Sequence, residues 1–576
     1  MSPPLIQHLD RSIYMGPHTL HAIHVPGLTQ GSTEIARLAQ DVQKKTAVYF
    51  YKQALPCLCV VFLGGTGTGK STLFNALCGA PLSAAGVERP KTGGPVAYIH
   101  QECPVEEEFP FPALDVVQCP AGASAPVAGS PAAFTIMTHV REDLSHLLIL
   151  DTPDLDSVAA AHRDLARDLY HLSDAVIFVT SQEKYADEVP HRFLQTILDE
   201  TSPLFILFNK AEHKTADSEA HNILRSQEDT LGDRPAWFIP YLVSPSWGAI
   251  LKTTAFQDFK TVLMEALSKE KEASIRRMRR HRQADRLNRD IERLMHLLKA
   301  EDQAATRWRF GLETICHQIA QDLIKAEKAR FSGQSREYIG GEIRKLFDRY
   351  DILARPRRLL KEMVMAPLRL LGIKPKPPRE SKGQVLFRVR GKTDLSSVFG
   401  AMEKLHRRVL EELSPQDKSS PLFSALRDPA VALTDTEVQE IIYKEQEKLA
   451  DWLEKKFQEL ARGIPTGKRL GIYSTSVVWG ILIVSFETAV GGGFTILDAA
   501  LDSAIAPFVT KGAVELFAFH EIQKITRDLA KQYQDGLLSV VSLQCRRYET
   551  CLNDLMPNEN TIKTLTQTQS ALKAHK

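Results

Sequence analysis

Between residues 58 and 267 the chain alternates short apolar runs with stretches of helical period. The apolar runs read LCVVFLGG, AFTIMTHV, HLLILDTP, DAVIFVTS, LFILFNKA and WFIPYLVS. A strand covered on both faces reads as a near-continuous apolar run, so this alternation predicts an α/β fold on a doubly wound, mostly parallel sheet. The stretch 101–132 is rich in Pro, Ala, Gly and Glu and reads as a surface loop.

On either side the pattern is helical. Residues 1–57 contain STEIARLAQDVQKKTAVYFYKQAL, with apolar positions at helical spacing just ahead of the first strand. After about residue 268 the charged SKEKEASIRRMRRHRQADRLNRDIERLMHLLKAEDQ opens a region in which helical periodicity dominates to the C-terminus. The expected division is an N-terminal helical segment over 1–57, an α/β domain over 58–267 and a stalk-like helical region over 268–465. An apolar hairpin over 466–521 and returning helices over 522–576 follow.

Composition narrows the classes. A chain of 576 residues exceeds what one core organises. Its 43% apolar and 25% charged residues are those of a folded protein, and a net charge of +2 singles out no partner. Eight cysteines in so long a chain make no disulfide framework and show no zinc spacing, so a reducing cytoplasm is expected. The start, MSPPLIQHLDRSIYMG, lacks a basic-then-apolar leader.

One motif carries specific chemistry. VVFLGGTGTGKSTLFNAL holds Gly64, four intervening residues, then Gly69-Lys70-Ser71, between an apolar strand and a helical run. Glycines at 64, 67 and 69 let the backbone turn tightly, so that the amides of Thr66, Thr68 and their neighbours face a phosphate. Lys70 brings a point charge to the β/γ oxygens. The Ser71 hydroxyl can ligate Mg²⁺, and Thr72 sits beside it at the helix start.

From here the chain resembles the translation-factor-like (TRAFAC) class of P-loop GTPases. GVERPKTGGPVAY places Thr92 where such GTPases keep a threonine sensing Mg²⁺ and the γ-phosphate. LILDTPD supplies Asp151, matching the aspartate of the Mg²⁺ shell. LFILFNKAE gives Asn209 and Lys210, the first half of the guanine-reading N-K-x-D motif, and YLVSPSWG puts Ser244 in a base-contacting loop. The resemblance implies Mg²⁺ as cofactor, held by Ser71, Thr92 and Asp151, with GTP as substrate and Lys70 and Thr92 as catalytic residues.

Two departures stand out. Glu212 occupies the N-K-x-D aspartate position; it keeps two acceptor oxygens but adds a methylene, so guanine stays favoured with weaker discrimination. In DTPDLDS, Asp154 replaces the D-x-x-G glycine and Leu155 follows. Ras-like members have a water-orienting glutamine there, and leucine cannot hydrogen-bond water. Asp154 would be repelled by a γ-phosphate unless Mg²⁺ or Lys70 screens it, so it is expected to point away or to cap the next helix.

The helical half resembles that of dynamin-like large GTPases by architecture alone. Residues 470–497 carry one charge, Glu487, and Gly491–Gly493 suggest a hinge between two apolar helices. Either 470–519 meets lipid, as dynamin-like hairpins do, or it is the buried core of a helical bundle; periodicity does not separate the two. Residues 355–382 hold nine Lys/Arg against two Glu around an apolar stripe. Segment 354–382 therefore suits either an interface helix on anionic lipid or a solvated basic face. The basic run 276–293 reads as a solvent face of a stalk. With no nucleic-acid motif in the chain, no specific nucleic-acid partner is expected. The leading expectation is a slow GTPase that self-associates, as a homodimer or higher assembly, and associates peripherally or through its hairpin with a membrane. The alternatives are a nucleotide-dependent scaffold with little hydrolysis and a soluble Era-like GTPase acting on RNA or protein.

Overall fold

The computed structural model describes residues 23–83, 94–103, 109–111, 114–120, 133–157, 160–181, 188–200, 203–211, 235–242, 246–330, 394–463, 481–482, 484–485 and 516–574. The chain divides into two compact units. One gathers Thr33–Leu298 and Pro557–Lys576, the other His24–Ser32 and Lys299–Met556.

The first unit is built on strands β1 (Leu58–Gly64), β2 (Val96–His100), β3 (Asp115–Cys119), β4 (Ala133–His139), β5 (Leu147–Asp151), β6 (Ala175–Ser181), β7 (Leu204–Ala211) and β8 (Ala236–Pro240). They form one sheet in the order β3-β4-β2-β5-β1-β6-β7-β8. Every neighbouring pair is parallel except β2 with β5. This is the expected mostly parallel α/β sheet.

Alternation along β1 shows why it is apolar throughout. Cys59, Val61 and Leu63 join one buried layer, with Val48 and Tyr51 of helix α1 (Ser32–Ala54), Leu55 just after it, and Ala166 and Leu169 of α3 (Ala160–Tyr170). Leu58, Val60 and Phe62 join the other, with Leu73, Phe74 and Leu77 of α2 (Lys70–Cys78). A strand with helices on both faces has no solvent side to mark with polar residues.

The six apolar runs correspond to β1 and β4–β8, but two strands lie elsewhere. β2 has only five residues, behind a glycine-proline stretch. β3 falls within 101–132, the segment read as a loop; it is an edge strand with exposed and half-exposed side chains, so it carries no apolar run. The unit continues through α4 (Glu188–Glu200), α5 (Trp247–Leu251) and α6 (Thr254–Ala266). It also takes in the first part of the 62-residue helix α7 (Lys269–Arg330).

The second unit is helical. Its core draws on the later part of α7 and on α8 (Ser396–Glu412), α9 (Pro421–Ala425), α10 (Asp435–Gly463) and α11 (Leu516–Asn553), with Ile319, Leu405, Leu422, Ile442 and Leu529 among its buried side chains. Fully buried Glu301 accepts hydrogen bonds from the Leu28 and Thr29 amides (3.1 and 3.0 Å) and the Thr29 hydroxyl (2.9 Å), anchoring the segment that leads into α1. A disulfide joins Cys316 to Cys545, 229 residues apart, where the cysteine count had suggested no pairing. α12 (Glu559–Ala574) closes the chain within the first unit.

Among the described residues no helix is long and apolar enough to cross a membrane. Segment 354–382 lies outside the described residues, as do nearly all of 470–519 and the Gly491–Gly493 hinge. Within that apolar stretch Ile481, Leu482 and Val484 are described, and they are buried in the helical core.

Candidate nucleotide site

Parallel strands present their carboxyl ends on one edge of the sheet, and ligands of open α/β sheets bind outside that edge. Here β1 delivers the loop 65–69, β5 delivers Asp151, and β7 delivers Asn209 and Lys210. Pairing of β1 with β5 sets Phe62 beside Asp151.

The loop depends on glycine. Gly67 (φ 74°) and Gly69 (φ 92°) occupy left-handed backbone. A Cβ on Gly69 would sit 2.2 Å from Asn209 Nδ2. That close approach has a purpose: Asn209 Nδ2 donates to the Thr68 carbonyl at 2.8 Å. Lys210, itself at φ 63°, donates from Nζ to the Gly67 carbonyl at 2.8 Å. Thr68 Oγ1 returns a bond to the Gly65 carbonyl at 2.9 Å. Within the loop the Thr68 amide donates to the Gly65 carbonyl at 3.5 Å, and the Thr66 amide is taken by Asp156. Thr66, Ser71 and Thr72 line the loop and the first turn of α2, each half-buried.

Lys70 is 4% exposed; its Nζ donates to the Gly65 carbonyl at 3.2 Å and forms an ion pair with Asp154. This corrects the expectation that Asp154 turns away or caps α3: a nearly buried ammonium takes the carboxylate within reach. The next residues complete a flap over the loop. Leu155 is buried in the core, with its amide donating to the Gly64 carbonyl at 3.2 Å. Asp156 Oδ1 accepts from both the amide and the hydroxyl of Thr66, each at 2.6 Å. Leu155 is therefore a core anchor, and its side chain is unavailable to any water at the phosphate.

Asp151 is fully buried. Its Oδ2 accepts from Ser83 Oγ at 2.7 Å, while Oδ1 has no hydrogen-bond partner among the described residues. Burial pushes its carboxyl above the usual range, against the opposing pull of the Ser71 and Ser83 hydroxyls and Lys70. Ser83 is held in place by Asn75, which accepts from the Leu82 and Ser83 amides (2.9 and 2.8 Å) and donates to the Ser83 carbonyl (2.8 Å). A buried carboxylate with one orphan oxygen, near a serine hydroxyl, fits a hard cation with oxygen ligands such as Mg²⁺.

The structure thus brings together Gly64, Thr66, Gly67, Thr68, Gly69, Lys70, Ser71, Thr72, Asp151, Asn209 and Lys210. Thr92, Glu212 and Ser244 lie outside the described residues. Asn75, Ser83 and Asp156 had no sequence signal: a lone Asn, Ser or Asp beside a motif looks like any other loop residue.

Residues 59–210 match the family described as 50S ribosome-binding GTPase. An uncharacterized protein from the xynA 3' region of Caldicellulosiruptor sp. (strain Rt8B.4) is 28% identical over 216 residues, 35% of this chain and 50% of that protein; the chain thus spans about half the length of this curated relative. Two solved structures are described as an oligomerised bacterial dynamin pair that provides a mechanism for long-range sensing and tethering of membranes. They align over 94% and 93% of this chain and 91% of each of theirs, with TM-scores of 0.36 and 0.39 at 10% and 11% identity. With the phosphate loop, the strand order and the family match in register, residues 59–210 form a P-loop GTPase domain.

Proposed function

We propose that this chain is a dynamin-like GTPase that binds GTP with Mg²⁺, hydrolyses it slowly, and couples that cycle to its helical half and to a membrane surface. The observation that carries the nucleotide part is the orphan oxygen of buried Asp151 beside a phosphate loop already braced by Asn209 and Lys210. In this reading the loop amides bind the β-phosphate, and Lys70 exchanges Asp154 for phosphate oxygens. Ser71, Asp151 and Thr92 would hold Mg²⁺, which supplies neutralisation of the triphosphate charge. Asn209 and Lys210 stand at the base side, with Glu212 and Ser244 completing guanine recognition. The likeness to dynamin-like proteins and the lipid contacts through 354–382 and 470–519 rest on the sequence.

Hydrolysis needs a water held in line, and Leu155 cannot hold it. A group from a second copy across the nucleotide is the favoured source. Leu155 in the core and Asp154 on Lys70 equally favour a second reading, a nucleotide-dependent scaffold that turns over little.

The test is GTP against ATP binding with Mg²⁺, followed by phosphate release at rising protein concentration with and without anionic vesicles. GTP preference and a specific activity that climbs with concentration are expected. Background turnover throughout would leave the scaffold, and equal binding of ATP would overturn the guanine assignment. No cosedimentation with anionic vesicles, with or without nucleotide, would remove the membrane from the proposal.

A further inference from the structure

The sheet brings two cysteines together at the edge opposite the phosphate loop. β5 runs parallel to β1 and β2 antiparallel to β5, so the end of β2 returns to the start of β1. Leu148 of β5 lies between Ile99 of β2 and Cys59 of β1. Cys57 sits just before β1. Cys103 sits in the turn that follows β2, where its amide donates to the His100 carbonyl at 3.0 Å. The two sulfurs, 46 residues apart along the chain, stand 3.1 Å from each other. That separation is about 1 Å longer than a disulfide bond.

The two thiols differ in access. Cys57 is 2% exposed, whereas Cys103 is half-buried. The hydrogen bond from Cys57 draws the Cys103 thiol below its ordinary range, with Arg276 and Lys52 adding to that pull against burial and Glu272. The same bond and burial push Cys57 well up. Neither cation is free. Lys52 pairs with Asp174, and Arg276, in the basic run that reads from sequence as a solvent face, pairs with Glu272 and donates to the Leu55 carbonyl. What sets the pair apart is the short distance between the sulfurs and the access to one of them. By contrast, burial pushes Cys59 up to about 12, and Cys316 and Cys545 are already joined. An accessible thiol is oxidised first, and a second sulfur within reach turns that oxidation into a reversible bond.

We propose that Cys103 and Cys57 form a dithiol site that reacts with hydroperoxides, Cys103 as the attacking sulfur and Cys57 as the resolving one. The Cys103 thiolate attacks one peroxide oxygen: a sulfur–oxygen bond forms and the oxygen–oxygen bond breaks. The leaving hydroxide or alkoxide takes up the proton that the thiol gave up. Cys57 then attacks the sulfur of the resulting sulfenic acid. The sulfur–sulfur bond forms, the sulfur–oxygen bond breaks, and hydroxide leaves with the Cys57 proton as water. The two thiols lose two electrons and the peroxide gains them; a thiol reductant reverses the bond by exchange. The closed bond would tie the start of β1, whose far end delivers the phosphate loop, to the end of β2 across β5.

The full chain is treated with a slight excess of hydrogen peroxide, alkylated, and digested without reductant for mass spectrometry, with dimedone as the trap for sulfenic acid. Peptides joined through Cys57 and Cys103 are expected, and dithiothreitol should part them. Cys103 should be oxidised at least about tenfold faster than Cys119 and Cys551, which are also half-buried. Cys57→Ser should leave Cys103 labelled by dimedone and unjoined. Cys103→Ser, at the more accessible position, should leave Cys57 unlabelled, and it keeps the test open if Cys57→Ser fails to fold. Absence of the joined peptides overturns the site, as does oxidation of Cys103 no faster than that of Cys119 and Cys551. Dimedone on Cys57 in the Cys103→Ser chain overturns the assigned roles, and a bond from Cys57 to Cys59 overturns the pairing.

Discussion

The sheet unit and the helical unit bury polar groups for different ends. Along the carboxyl edge of the sheet, Lys70, Asp151 and Asn209 are buried close together, and Asp151 keeps an unmet oxygen. In the helical unit buried polar groups pin one segment to another. Glu301 ties down residues 28–29, the Gln544 carbonyl oxygen accepts the Leu433 amide at 2.7 Å, and the Tyr548 hydroxyl meets His406 Nδ1 at 2.7 Å. Asp151 is left unmet where a strand ends, while Glu301, Gln544 and Tyr548 are matched where segments of the bundle meet. The contrast lies between these groups, since Thr526 Oγ1 in the bundle also lacks a partner among the described residues.

Substitutions can break that contrast, beginning where the effect is largest. Lys70→Ala should cost nucleotide affinity about a thousandfold, ~4 kcal/mol, because a charge-assisted phosphate contact is lost in a buried setting; a fluorescent GTP analogue reads it. Leu529→Ala in the helical core should cost about 3 kcal/mol of unfolding free energy with nucleotide affinity unchanged. Denaturant titration beside the same binding assay checks both halves.

Asp151→Asn sharpens the comparison through pH. Burial raises the folded carboxyl above its unfolded value, so the stability it contributes is full below the unfolded pKa and lost as pH rises through the folded one. The variant should therefore gain about 1–2 kcal/mol over the wild type at neutral pH without nucleotide. That gain should fade as the solution becomes acidic, while Mg²⁺-dependent nucleotide binding is lost; melting curves across a pH series report it. Smallest is Tyr548→Phe, which should cost about 1 kcal/mol and leave nucleotide binding untouched. An equal loss from Asp151→Asn and Tyr548→Phe would erase the distinction between the two kinds of burial.

Legibility in the sequence follows the same divide. The six long runs predicted the buried strands because burial on both faces writes an uninterrupted apolar signature. β2 and β3 wrote none: one is a short run directly behind Gly93-Gly94-Pro95 and broken by His100, the other an exposed edge. The phosphate loop was plain because tight turns and phosphate contact demand glycine and lysine at fixed spacing. Asp154 was misread because Lys70 was weighed only as a screen against a phosphate, whereas the buried ammonium takes the carboxylate as its own partner. Ser83 and Asp156 were invisible because their roles arise from folding, across 68 and 90 residues of chain. The Cys316–Cys545 bond spans still more, with no intervening pattern.

The pairing of Lys70 with Asp154 has a consequence for selectivity by charge. The protein supplies its own monoanion to the loop, so in the proposed nucleotide reading an incoming phosphate would be exchanged against it. A single negative charge gains nothing by that exchange, whereas a triphosphate offers more charge than the carboxylate it displaces. In the proposed nucleotide reading, the acid at the glycine position would thus act as a threshold against singly charged anions.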